Sequence, residues 1–167
     1  MNIRKYLWIL NIIGAIIILI SILTPTSYND TYPTLYYVWM TQIGVDIDPL
    51  AIYLLRTDLM LVVISTILAL IIFSSSVIAI TLNLTYIRLS LNFKRLRWKM
   101  LLIAGLVIAS TLFWIIMMEA FYNQYGYNHW IAMGGGYSPY FGVIGPFIGA
   151  VIIGFGFFVK REERESS

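Results

Sequence analysis

A chain of 167 residues that is 60% hydrophobic, 11% charged and free of cysteine, with a mean hydropathy of +0.84, lies far from the soluble average of about a quarter charged residues. That composition predicts a membrane protein, and the missing cysteines exclude disulfides, thiolate metal sites, thiol catalysis and S-acylation. The net charge of +3 is small and, as shown below, unevenly placed, so it does not point to nucleic acid as a partner.

Residues 6–23 form the first apolar stretch, preceded by Arg4 and Lys5. Its length exceeds a typical signal-peptide core and SILTPTS offers no A-x-A cleavage pattern, so it is predicted to span. Residues 24–58 follow as a long polar-aromatic segment. Within TLYYVWMTQIGVDID the set Leu35, Tyr37, Trp39, Ile43, Val45 and Ile47 alternates with polar residues and glycine, a strand signal with one face buried. Asp48-Pro49 reads as an N-cap followed by proline at the first helical position, opening a short helix PLAIYLL.

The second span is predicted at residues 59–84. Its triplet Ser74, Ser75 and Ser76 has no base in reach, and the hydroxyls are expected to bond to neighbouring backbone carbonyls. Residues 85–99 read as a basic loop and residues 100–121 as the third span. Glu119 lies a helical rise of roughly 28 Å beyond Met100, at the membrane boundary and not at its centre. Arg56, just before the second span, is expected at a similar height and to pair with it.

Residues 122–140 carry the sole histidine, His129, expected in a headgroup-level aromatic ledge with Tyr122, Tyr125, Tyr127 and Trp130. A lone histidine with scattered carboxylates is weak as a metal ligand. Neither a metal, a cofactor nor an enzymatic activity is predicted. Ser138-Pro139 is expected to open the fourth span at residues 141–159. There Gly145 and Gly149, four apart, suit close helix approach, either inside the bundle or between protomers. Residues 160–167 form a polar tail.

Ten of the eleven basic residues fall on one side of these spans and Arg56 alone on the other. The basic side is therefore predicted to be cytoplasmic, with both termini inside a multi-pass plasma-membrane protein. With the acids included, the inner side carries 10 − 3 = +7 and the outer side 1 − 5 = −4. The inner cations suit anionic lipids of the inner leaflet. Asn29 begins an outer N-D-T glycosylation sequon, whereas N-L-T at Asn83 falls inside a span.

In this order along the chain, the residues resemble the claudin-type four-span family, which includes the peripheral myelin and epithelial membrane proteins. Tyr37-Val38-Trp39-Met40-Thr41 resembles the family's Gly-Leu-Trp motif, and Arg56 in LLRTDLM the arginine before its second span. AGLVIAS, Trp114 and Phe121-Tyr122-Asn123 resemble the third span, and Gly136-Tyr137-Ser138 with Tyr140 through Gly149 the fourth. The chain departs from the family in lacking the first-loop cysteine pair, with Gln42 in place of the first cysteine. It also lacks the Gly and Leu of the tryptophan motif and a hydrophobic C-terminus.

The resemblance implies a mainly α-helical, four-transmembrane-helix bundle capped by a small extracellular antiparallel β-sheet built mainly from the first loop. It also implies a structural, self-associating protein of membrane adhesion or of a cation-favouring paracellular-type barrier or pore. Trp39 would anchor the sheet, Arg56 and Glu119 would tie it to the helices, and Asp46 and Asp48 would set its surface charge. The alternative is an accessory or solute-conducting subunit of a larger membrane complex.

Overall fold

The computed structural model describes residues 7–29, 34–36, 38–39, 42–45, 52–54, 59–89, 93–126, 128–130 and 134–158. It is mainly helical. Four helices, α1 (Leu7–Leu23), α2 (Leu59–Leu89), α3 (Phe93–Asn123) and α4 (Phe141–Phe158), accompany strands β1 (Ser27–Asn29), β2 (Thr34–Tyr36), β3 (Gln42–Val45), β4 (Ile52–Leu54) and β5 (Tyr137–Pro139). Two helices, α2 and α3, are long and apolar enough to cross a membrane, while α1 and α4 carry shorter apolar stretches.

Each helix follows an apolar run, but α2 and α3 outlast theirs. Both have 31 residues, about 46 Å at a rise of 1.5 Å per residue. The predicted basic loop at 85–99 is therefore corrected: α2 continues to Leu89 and α3 begins at Phe93. Arginine and lysine are good helix formers, so the helix runs on where hydrophobicity stops.

The helices form a ring in which α1 packs on α2 and α4, and α3 packs on α2 and α4. Ile18, Ile72, Val107, Trp114, Met118 and Ile153 fill its centre and are fully buried. Small residues let α1 and α4 approach closely. A Cβ at Gly145 would press on Ser21, and one at Gly149 on the carbonyl oxygen of Gly14 and on Ile18. Both glycines therefore face α1 within the same chain. Ser76 donates to the carbonyl of Ile72 at 2.9 Å, as expected of the serine triplet.

Helix α1 ends where Thr24 bonds back to the carbonyl of Ser21 through both its amide, at 3.2 Å, and its hydroxyl, at 2.9 Å. Pro25, which has no N–H, cannot continue the helix. The carbonyls of Pro25 and Thr26 then accept from the amides of Gly142 and Tyr140, both at 2.8 Å. This joins the end of α1 to the start of α4. The turn leaves no room for a side chain at Gly142, whose Cβ would lie 2.5 Å from the carbonyl oxygen of Thr24.

All ladders in the five-stranded sheet are antiparallel, in the order β4-β3-β2-β1-β5. Four strands come from the segment between α1 and α2 and the fifth from the segment before α4. The alternation read as one strand is instead a hairpin, with Leu35 opposite Ile43 and a turn at Val38 and Trp39. The short helix predicted from Asp48-Pro49 is also corrected. Its residues Ile52–Leu54 are strand β4, with Ile52 opposite Val45, because a ladder with β3 outweighs a local capping signal. Ser138-Pro139 belongs to β5, and α4 starts two residues later, where the carbonyl of Tyr140 accepts from Val143 and Ile144 at 3.0 and 3.2 Å.

Candidate functional site

Among the described residues, a cluster of polar groups lies where the sheet meets α3. Ile115 and Glu119, four apart, share one ridge of that helix, and the chain returns to it after a turn at Gly126, whose φ of 77° suits glycine. One carboxylate oxygen of Glu119, Oε2, accepts from the backbone amides of His129 at 3.0 Å and Trp130 at 3.2 Å. The indole N–H of Trp130 donates to the carbonyl of Ile115 at 3.3 Å. Helix α3 thus fixes both the backbone and a side chain of the 129–130 segment.

The same segment holds the sheet. Trp130 forms a parallel bridge with Tyr137, and the carbonyl of His129 accepts from the Tyr137 amide at 3.1 Å. Gly135 is needed beneath them, since a Cβ there would collide with the backbone of Asn128 and His129.

The His129 ring is enclosed by both layers. It stacks on Tyr137 of β5, with centroids 4.4 Å apart and planes 8° apart. It meets Trp130 edge-on at 4.6 Å and Tyr122 of α3 at 4.6 Å, tilted by 43°. Its Nε2 shares a hydrogen bond of 3.1 Å with the hydroxyl of Ser27 in β1. Both residues are fully buried, and burial pushes the imidazole down to about 3. The ring is therefore neutral in the folded protein.

A serine hydroxyl on a histidine nitrogen, with a carboxylate nearby, is the arrangement used to activate nucleophiles. Here it does not suit that chemistry. The hydroxyl is sealed from solvent, and an imidazole held near 3 is a poor base at neutral pH. The group instead acts as a polar clasp between sheet and helix.

A second buried polar contact lies deep among the helices. The Asn11 amide of α1 donates to Asn83 Oδ1 of α2 at 3.0 Å, and Asn83 Nδ2 donates to the carbonyl of Ala79 at 2.7 Å while touching Met100 Sδ of α3 at 3.3 Å. Asn83 is fully buried, so its sequon is closed to glycosylation.

The residues singled out from the sequence divide among several places. Glu119 is at the seam, whereas Gly145 and Gly149 are on the α1–α4 contact. Asn29 ends β1, opposite Thr34 of β2 and Tyr137 of β5. Arg56, Asp46, Asp48 and Tyr127 lie outside the described residues.

Trp39 corrects the expectation of a buried anchor. At a hairpin turn it is 36% exposed, while Val38 beside it is 4% exposed and Trp130 5%. The expected aromatic ledge is corrected too, because His129 and Trp130 are interior and Tyr125 is exposed. Ser27 drew no attention in the sequence, since nothing local ties it to a histidine 102 residues away. Among the described residues no three His, Asp or Glu side chains gather to hold a metal ion.

No family model, no curated protein and no solved structure matches this chain.

Proposed function

We propose that this chain is a claudin-like, four-span structural protein of the plasma membrane, with both termini cytoplasmic, that associates with copies of itself through the extracellular sheet. Support for the membrane comes from the outward faces of all four helices, which carry exposed apolar side chains such as Ile16, Phe73, Leu102 and Val151. An apolar belt of that extent suits lipid and not water. Under this reading α1 and α4 cross with α2 and α3, and the inner basic residues meet anionic headgroups. The acidic outer segments, with Asp46 and Asp48, favour cations at the associated surface.

The observation that carries the reading is the asymmetry of the sheet. Its β5 edge is covered by the bridge from Trp130, whereas β4 has a ladder partner only in β3 among the described residues. An edge strand with open backbone groups is a template for another strand. Two β4 edges meeting antiparallel would join two copies with twofold symmetry.

The cysteine-free chain makes the test direct. Tyr53→Cys in β4 is expected to give disulfide-linked pairs in native membranes, and Tyr28→Cys in β1 is not. Native mass spectrometry from mild detergent should find copies of this chain together. A fixed set of foreign subunits without such pairs would favour the accessory-subunit alternative. For orientation, an impermeant reagent added outside cells should label cysteine at Asn29 and not at Asn92.

A further inference from the structure

We infer that His129 is an acid-operated latch: its uncharged ring holds the β1 and β5 side of the sheet on the end of α3, and protonation of that ring releases the sheet. The inference concerns this chain's own seam and does not rest on the claudin-like reading.

The geometry defines what a proton would meet. From β1 the ring faces the Ser27 hydroxyl, from β5 the Tyr137 ring, and from α3 the Tyr122 ring, with Trp130 against its edge. Among the described residues the acidic side chain at the seam is Glu119, whose Oε2 is committed to the amides of His129 and Trp130. Among the described residues, Tyr122 and Tyr137 are the other titratable groups in ring contact with it, and phenols take up no proton in acid. The face of Tyr137 attracts a cation, but one ring face does not return what full burial costs an ion. Burial accordingly holds the imidazole at about 3, against 6.5 for a free one.

An opened seam exposes the ring to water, where it accepts a proton near pH 6.5. The closed seam binds none until about pH 3. Between those values the opened form holds one more proton, so closure is fully supported above 6.5 and weakens as pH falls. The ratio of opened to closed forms should hold steady above pH 6.5 and approach a tenfold rise per pH unit well below it, about thirtyfold in all from pH 8 to pH 5. The same ring ties together elements from both ends of the sequence, so its release would loosen β1 and β5 together.

Because the chain has one histidine, the ring signals of a ¹⁵N-histidine sample of the unaltered protein in mild detergent all come from one imidazole, through its Nδ1 and Nε2. The expected result is a ring that stays neutral through pH 5. Hydrogen exchange of the 128–130 and 137–139 segments, corrected for the intrinsic pH dependence, should meanwhile show the thirtyfold rise in opening. In His129→Gln that rise should vanish, and in Glu119→Gln it should persist. A ring that charges near pH 6.5 without a change in exchange would overturn the latch. So would a rise that survives in His129→Gln or disappears in Glu119→Gln. If His129→Gln does not fold, the imidazole signal and exchange of the unaltered protein still decide the matter.

Discussion

Gly14 of α1 and Gly149 of α4 face each other across a close helix contact: a Cβ on Gly14 would lie 2.7 Å from the carbonyl oxygen of Gly149, and one on Gly149 2.5 Å from that of Gly14. In both cases the obstacle is backbone. Unlike the tip of a flexible side chain, it can yield only if the helices move apart, and each contact below would be stretched.

Gly149→Ala should therefore destabilise the protein by about 1–3 kcal/mol, the usual cost of overpacking. That exceeds the roughly 0.5–1 kcal/mol that alanine gains over glycine inside a helix. Gly105 provides the control, because nothing lies within 4 Å of a Cβ placed there. Gly105→Ala should be neutral to stabilising by up to about 1 kcal/mol. Thermal or denaturant unfolding in detergent measures both, and equal effects would mean that the α1–α4 approach is looser than described.

The Asn11–Asn83 bond should show as coupling between α1 and α2. Asn83→Leu removes the acceptor of the Asn11 amide, and Asn11→Leu removes the donor to Asn83. A double-mutant cycle should give a coupling of about 0.6–2 kcal/mol, the range for hydrogen bonds between apolar-bedded helices. The double variant should then lose less than the sum of the single losses. Strict additivity would show that the two amides do not depend on each other.

The helices were legible because apolar runs are a local signal, and the small-residue spacing of Gly145 and Gly149 was legible for the same reason. What was not legible depended on partners distant in sequence. Asp48-Pro49 carries a sound helix-start signature, yet Ile52 pairs with Val45 in a ladder whose energy no local propensity reports. The alternation through Leu35 and Ile43 did mark strands, but periodicity contains no information about the turn at Val38 and Trp39 that folds them together. His129 was conspicuous as the sole histidine, whereas the serine that meets it lies at the far end of the topology. Whether a tryptophan lies inside or outside depends on that long-range arrangement, which is why Trp39 and Trp130 exchanged their expected places.

That exchange has a direct measure. Trp130 packs edge-on against Trp114, with centroids 6.0 Å apart, and is hydrogen-bonded to α3. Trp130→Ala should cost about 3–5 kcal/mol. Trp39→Ala, at an exposed turn, should cost less than half as much. Both variants can be followed by thermal unfolding, and a larger loss at Trp39 would return the anchoring role to the turn.

Glu119 separates two ways of tying the sheet to the bundle. If the tie is the pair of amides from His129 and Trp130, what matters is an acceptor at that position and not its charge. Glu119→Gln, which retains a carbonyl oxygen, should then cost about 1 kcal/mol. Glu119→Ala, which strands two backbone N–H groups in a partly buried seam, should cost about 2–6 kcal/mol, at roughly 1–3 kcal/mol for each unsatisfied group. If the tie is instead an ion pair with Arg56, neutralisation alone should be severe, because removing one partner of a shielded pair costs about 3–5 kcal/mol. A cycle of Arg56→Met with Glu119→Gln distinguishes them. Independent losses assign the tie to the backbone amides, whereas a double variant that loses much less than the sum assigns it to the charges. The amide geometry predicts the first outcome, with the Ala variant clearly below the Gln variant in stability.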